Sequence, residues 1–449
     1  MLTPIHYQTE CLNEMDWFGG RVLLAADMGL GKTAMALWFL ERDKSKRLPA
    51  VIVCPASVKY VWEYEAQQTI GIRPDVAEGR KPPRGGWSDN NDIIVINYDI
   101  LPWWLIHLKQ RRARTVIIDE CQFTMNPRAK RTKAVRELCK GVKHVLALSG
   151  TPLLNRPIEL FPVLKLICPS KFSARGAFAH RYCKPKWTPW GWQFNGADNV
   201  EELHEKLRDS CMVRRRKVDV LPDLPEKLRR VIPLPLSSDS EYQLASKDFL
   251  NWLRRRDPSA AQRASKAEEL SRIGYLLRLC ARLKLLSAVE WINDWLYQTD
   301  EKLVVFARHA KMVEALKRRC KVESVVVDGS VTGRLRKAVV DKFQEDKRTR
   351  LFIGNIHAAG VGITLTASST VVFTEMAWRP ADHTQAEDRC HRIGTKQTVW
   401  CYYLVARDTI EQRLCEVIQK KQSVISNILD GKDVGDLDVF DQLLKEMKK

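Results

Sequence analysis

Ala26-Asp27-Met28-Gly29-Leu30-Gly31-Lys32-Thr33 joins an apolar run, Arg21–Ala26, to a helix-like stretch, Thr33–Glu41. Strand, glycine-bearing turn and helix, closed by Gly-Lys-Thr, form the phosphate-loop pattern G-x-x-x-x-G-K-[ST] with alanine in its first place. The residue types set the chemistry. Gly29 and Gly31 let backbone N–H groups turn inward around phosphate oxygens, and the following helix points its positive end at them. Lys32 is expected to neutralise the β- and γ-phosphates and the Thr33 hydroxyl to ligate Mg²⁺. Asp27, Met28 and Leu30 complete the expected nucleotide-binding loop. A second acid-bearing strand end supports this reading: Asp119-Glu120 closes the apolar run Thr115-Val116-Ile117-Ile118. Carboxylates at that edge of a parallel sheet suit a metal ligand (Asp119) and a group that orients or deprotonates the attacking water (Glu120).

Outward from the loop, further apolar runs at Ala50–Pro55, Asp92–Tyr98 and Lys143–Gly150 alternate with helix-like segments such as Ser57–Gln68 and Ala129–Lys140. Apolar strands without polar alternation, each followed by a helix, describe a parallel sheet covered on both faces. The last third repeats the scheme at Leu303–Phe306, Val322–Asp328, Leu351–Asn355, Val371–Thr374 and Val399–Val405. Residues 166–299 differ. They carry Trp187, Trp190 and Trp192 in a Pro- and Gly-containing stretch, the basic run Arg214-Arg215-Arg216-Lys217, a Pro-punctuated linker at 221–225, and helical periodicity from Ser237 to Tyr297. The expected architecture is α/β: lobe 1 over 1–165, a mainly helical insertion over 166–299, and lobe 2 with C-terminal helices over 300–449. Core packing of the insertion is the expected role of its tryptophans.

The 449 residues hold 74 Lys+Arg against 54 Asp+Glu, a net charge of +20. The excess is spread: +7 over 1–165, +8 over 166–299 and +5 over 300–449. A distributed excess argues against a basic arm or a membrane-docking face and for a polyanion gripped along its phosphates. Twelve dispersed cysteines include no C-x-x-C pair, which removes zinc ribbons and thioredoxin-type chemistry and points to free thiols. Neither a signal-peptide layout nor an apolar run of ~20 residues occurs, so no membrane is expected.

Gln385-Ala386-Glu387-Asp388-Arg389-Cys390-His391-Arg392 sets two arginines three apart, on one face if helical. Arg389 and Arg392 could bring positive charge to a γ-phosphate, where an arginine finger contributes ~10³–10⁵ in rate. With these residues the chain resembles the Swi/Snf-type ATPases of helicase superfamily 2. Seven motifs occur in order: Tyr7-Gln8, Ala26–Thr33, Val53–Lys59, Asp119-Glu120-Cys121-Gln122, Ser149-Gly150-Thr151-Pro152, Ala358–Leu365 and Gln385–Arg392 followed by Ile393-Gly394. Arg181-Tyr182-Cys183, Pro189-Trp190-Gly191-Trp192, Met212–Arg215 and Asp219–Pro225 resemble the annealing-helicase (HARP-type) branch. Two departures stand out. Gln122 replaces the usual histidine of its motif, though it can still donate and accept toward Ser149-Gly150-Thr151. Ala26 replaces a common acid outside the phosphate-contacting residues.

The resemblance implies two RecA-like lobes and an ATP-driven motor, using Mg²⁺, that translocates on double-stranded or forked DNA, with strand annealing or fork remodelling as a further activity. Gln8 would read adenine, and Lys32, Glu120, Arg389 and Arg392 would be catalytic. Lys59, Asn97, Tyr98, Thr364 and Trp378 would touch DNA. The motor would act as a monomer, in the cytoplasm with the nucleoid if bacterial or phage and in the nucleus if eukaryotic. The competing readings are a strand-separating helicase on single-stranded DNA or RNA, a non-catalytic DNA-binding scaffold, and an NTPase at a membrane surface.

Overall fold

The computed structural model describes residues 3–82, 92–152, 156–189, 191–247, 268–331, 333–359, 362–415, 418 and 429. The chain divides between Leu224 and Pro225 into two compact units. Trp190, Gly360, Val361 and most of the expected C-terminal helices lie outside the described residues.

The first unit contains strands β1 (Arg21–Ala26), β2 (Ala50–Cys54), β3 (Asp75–Val76), β4 (Ile93–Asn97), β5 (Thr115–Asp119), β6 (His144–Leu148), the short pair β7 (Lys186–Thr188) and β8 (Gly191–Gln193), and β9 (Met212–Arg215). Seven of them form one parallel sheet in the order β3-β4-β2-β5-β6-β1-β9. Strands β2, β4 and β6 are buried along their whole length, as Val/Ile/Leu runs covered on both faces must be. Each such side chain contributes about 1.5–3 kcal/mol on burial. The order β5-β6-β1 matters for function. It sets the segments that follow these three strands, Glu120–Gln122, Ser149–Thr151 and Asp27–Thr33, side by side at the C-terminal edge of the sheet.

The second unit holds β10 (Lys227–Leu234), β11 (Leu303–Ala307), β12 (Ser324–Val327), β13 (Leu351–Asn355), β14 (Thr370–Phe373) and β15 (Val399–Ala406). They make a six-stranded parallel sheet in the order β10-β15-β14-β11-β13-β12. Helices Asp239–Lys247 and Glu268–Leu283 pack through Tyr242, Ala245, Leu276, Leu279, Cys280 and Leu283. Among the described residues, no helix is long and apolar enough to cross a membrane, and all twelve cysteines are free.

The expected boundaries at 165 and 299 differ from the observed division. Residues 166–224 belong to the first unit because β9 pairs with β1, Leu23 beside Met212 and Ala26 beside Arg215. Residues 225–299 belong to the second because β10 pairs with β15 over eight residues, Lys227 beside Val399 through Leu234 beside Ala406. Both strands are rich in arginine and lysine, which hid them from an apolar-run reading. The tryptophan expectation also fails: Trp187 and Trp192, paired across β7 and β8, are 65% and 50% exposed.

Candidate active site

At the end of β1 the chain enters the phosphate loop with Gly29 at φ 85° and Gly31 at φ 78°, the left-handed region that glycine tolerates without strain. At Gly31 the demand is double, since a Cβ there would stand 2.8 Å from Gln8 Nε2. The Gln8 amide explains the closeness. Its Oε1 accepts from the Ile5 N–H at 3.0 Å, and its Nε2 donates to the Leu30 carbonyl at 3.3 Å. The Tyr7 hydroxyl donates to the same carbonyl at 3.0 Å. The helix that opens the chain, His6–Trp17, is thereby tied to the outer wall of the loop.

Lys32 begins the helix Lys32–Arg42, and its ammonium donates to the carbonyls of Ala26 at 2.7 Å and Asp27 at 3.1 Å. Gly150 lies against it, for a Cβ at that glycine would stand 3.3 Å from Lys32 Nζ and 2.6 Å from Met28 Sδ. The Asp27 carboxylate faces away from this point. It accepts from Arg214 Nη1 at 2.7 Å and from the Lys217 N–H at 3.0 Å, so β9 and the turn that follows it grip the loop.

Asp119 ends β5. One carboxylate oxygen accepts from Trp62 Nε1 at 2.8 Å and the other from the Glu120 N–H at 2.9 Å. Burial, and next to it the Glu120 charge, push its pKa up to about 7 against the lowering pull of Trp62 and Lys32. Glu120 is buried at φ 49°. A carboxylate pair so poorly compensated is what a divalent cation would relieve, and the Thr33 hydroxyl is the second oxygen in the motif suited to it. The donor set therefore fits Mg²⁺ completed by water and phosphate oxygens.

A polar relay leaves the acid pair. Gln122 Nε2 donates to Glu120 Oε2 at 2.7 Å, Ser149 Oγ donates to Gln122 Oε1 at 2.8 Å, and the Thr151 N–H donates to Ser149 Oγ at 3.0 Å. Gln122 makes both bonds because an amide offers a donor and an acceptor on one side chain.

The residues expected to touch DNA in the first unit are placed inside instead. Lys59 is buried and donates to the Ala77 carbonyl at 2.7 Å, and burial holds its ammonium pKa below the usual lysine range. Asn97 is buried. Tyr98 is buried too, stacks on Phe123 and donates to the Asp119 carbonyl at 2.6 Å, so it floors the acid pair. Asn97 and Tyr98 stand at the end of β4 and Lys59 at the start of a helix after β2, and position along the chain did not report which way these side chains turn.

In the second unit the helix Pro380–Glu387 ends before either arginine, so Arg389 and Arg392 sit in the turns that follow rather than on one helical face. Arg389 is buried, its guanidinium donating to the carbonyls of Gln385 at 3.1 Å and Ile363 at 3.3 Å. Arg392 is half-buried and donates to Thr364 Oγ1 at 2.7 Å. Trp378 is half-buried with the Arg308 guanidinium 5.5 Å from its ring centre. The turn is anchored from β10. Arg229 makes two 2.7 Å bonds to the Glu387 carboxylate, Lys227 lies 3.0 Å from Glu387 and 3.1 Å from Asp388, and the Tyr403 hydroxyl donates to Glu387. Though burial alone would raise it, the Arg229 and Lys227 charges hold the Glu387 carboxyl far below the carboxylate range.

Sequence reasoning missed Trp62, Arg214, Lys227 and Arg229. None stands within the seven ordered motifs, and each acts through tertiary pairing that no local spacing reports. Arg214 carried one signal: a basic run ending a segment that resembles the branch pattern.

The matched family descriptions are the SNF2-related domain over residues 7–284 and the helicase conserved C-terminal domain over 284–394. Over 423 residues the chain is 34% identical to "SWI/SNF-related matrix-associated actin-dependent regulator of chromatin subfamily A-like protein 1 homolog" of Caenorhabditis elegans, which covers 91% of this chain and 59% of that protein. Over 429 residues it is 32% identical to "DNA annealing helicase and endonuclease ZRANB3" of Homo sapiens, 92% of this chain and 39% of that protein. The chain thus spans less than two thirds of these relatives. Among solved structures it is similar to the "Sulfolobus solfataricus SWI2/SNF2 ATPase core in complex with dsDNA", at 23% identity and a TM-score of 0.46, covering all of this chain and 96% of that one. Since the SNF2-related match takes in more than half of its residues, the chain belongs to the SNF2-related family.

Proposed function

We propose that the chain is a DNA-dependent ATPase that translocates along duplex DNA, with strand annealing or fork remodelling as the outcome at branched substrates. The observation that carries this reading is the alignment of three motif segments on one sheet edge: Lys32 in its loop, the Asp119–Glu120 pair, and the relay from Glu120 through Gln122 and Ser149 to Thr151. Family membership and relatives named as annealing helicases support the DNA part.

In this reading Gln8 and Tyr7 fix the loop wall against which the adenine end of ATP binds. The backbone N–H groups around Gly29 and Gly31, with Lys32, hold the β- and γ-phosphates. Thr33 and Asp119 would hold Mg²⁺, which on binding would neutralise phosphate charge. Glu120 orients the attacking water and takes up its proton, and Gln122 passes the state of that carboxylate to Ser149 and Thr151. Arg392 supplies positive charge during hydrolysis, and Arg389 keeps the backbone at Ile363 in place beneath it. DNA would be tracked by its phosphates, so binding should weaken by ~0.9 log units per tenfold salt for each phosphate neutralised. Side by side, a triplex-displacement assay and a strand-displacement assay test the mode of action. Triplex displacement without unwinding supports a duplex motor, and unwinding of single-stranded-tailed substrates instead would establish the strand-separating alternative.

A further inference from the structure

Strands β7 and β8 form an antiparallel hairpin in which Trp187 lies directly across from Trp192, their rings 5.2 Å apart and edge-to-face. The row continues inward. His180 meets Trp192 at 4.9 Å and Phe194 at 5.2 Å, both edge-to-face, so one side of the tryptophan pair is braced while most of Trp187 faces water. Two exposed tryptophans side by side are costly to leave in water and mark a contact surface. The surrounding charge says what kind. Residues 160–197 contain Lys165, Lys171, Arg175, Arg181, Lys184 and Lys186 and not one Asp or Glu. Lys184 and Lys186 are exposed next to the hairpin, whereas Arg181 is engaged by Glu202. Aromatic faces left open beside the exposed Lys184 and Lys186 match a ligand that carries π-faces on a polyanionic chain, which is single-stranded nucleic acid. The bases of an intact duplex are stacked on one another and offer no such face.

We propose that the β7–β8 hairpin is a platform on which unpaired nucleobases stack through Trp187 and Trp192, with Lys184 and Lys186 holding the flanking phosphates. This rests on the reading of the chain as a DNA motor and adds to it a contact specific for branch points, where duplex and single strand meet. Stacking of one base is worth about tenfold in affinity, and two such bases more.

The test uses the full chain and three probes: a blunt duplex, the same duplex opened into a fork with thymidine arms, and that fork with abasic arms. Duplex-stimulated ATP hydrolysis, measured separately on the blunt probe, reports on the motor reading alone. The wild type should bind the thymidine fork about tenfold more tightly than the abasic fork, whose phosphates are identical. Trp187→Ala and Trp192→Ala should abolish that difference while leaving blunt-duplex ATP hydrolysis unchanged, and Trp187→Phe should keep most of it. Equal affinity of the wild type for thymidine and abasic forks would overturn the proposal. So would a preference that survives in the alanine variants, which would leave the tryptophans to a protein partner.

Discussion

Asp119-Glu120 in the first unit, half-buried and buried, and Glu387-Asp388 in the second, both buried, are pairs of adjacent acids whose surroundings differ in one respect. Around Glu387 the protein supplies Arg229, Lys227 and the Tyr403 hydroxyl, and the carboxyl is held strongly ionised. Around Asp119 it supplies an indole and a backbone N–H, with Lys32 acting only as a weaker influence, and the carboxyl is pushed up to about 7. A compensated pair is a fastening: it locks the turn that carries Arg389 and Arg392. An undercompensated pair is a site kept ready for charge from outside.

The contrast can be broken in several ways. The largest effect belongs to the open pair: Lys32→Ala and Glu120→Gln should lower ATP turnover by ~10³-fold or more while the thermal midpoint stays near that of the wild type. Next, Arg392→Ala should bind ATP normally yet turn over about 10³-fold more slowly; an unchanged DNA-stimulated rate would remove it from the finger role. The locked pair should answer in stability instead. Glu387→Gln removes the carboxylate that takes both Arg229 bonds and leaves Lys227 with Asp388, and should cost about 3 kcal/mol, whereas Asp119→Asn measured without Mg²⁺ should cost nothing or stabilise. Denaturant midpoints of the two variants decide this directly.

Acid sharpens the same comparison. His383 is buried beneath Phe373 and Tyr403, accepts the Ala377 N–H at 3.0 Å, and is lowered by burial to about 4. It is neutral when folded but protonates below its ordinary value once unfolded, so its contribution is present above about pH 6.5 and is lost as pH falls toward 4. The loss is up to about 3 kcal/mol over that window, and the thermal midpoint of His383→Leu should fall less steeply with acid than that of the wild type. The smallest effect is expected at Gln122→Ala, where two hydrogen bonds are lost. Basal hydrolysis should persist and its stimulation by duplex DNA should fall about tenfold, as roughly 1.4 kcal/mol of lost coupling implies.

The sheets and the nucleotide loop were legible because their signals are local. Val/Ile/Leu runs over β2, β4, β5 and β6 must be covered on both faces, and Gly29, Gly31, Lys32 and Thr33 act within one turn of chain. The arrangement of Gln122 toward Ser149 could be anticipated from the capacity of an amide. Three things were not legible. Strands β9 and β10 carry Arg214, Arg215, Lys227 and Arg229, which pair with carboxylates far along the chain. Lys59 opens the helix that follows β2 and Tyr98 directly follows β4, places where the sequence does not say whether a side chain turns inward. Trp187 and Trp192 resemble core residues by type, and only their place on a two-stranded hairpin exposes them.

The central claim is that the open acid pair serves an engine driven by duplex DNA. Steady-state ATP hydrolysis by the full chain with no nucleic acid, single-stranded DNA, blunt duplex, forked duplex and RNA tests it most directly. The account predicts low basal turnover, strong stimulation by blunt and forked duplex, and little by single-stranded DNA or RNA. Turnover indifferent to DNA, or stimulated best by RNA or single strands, would contradict it.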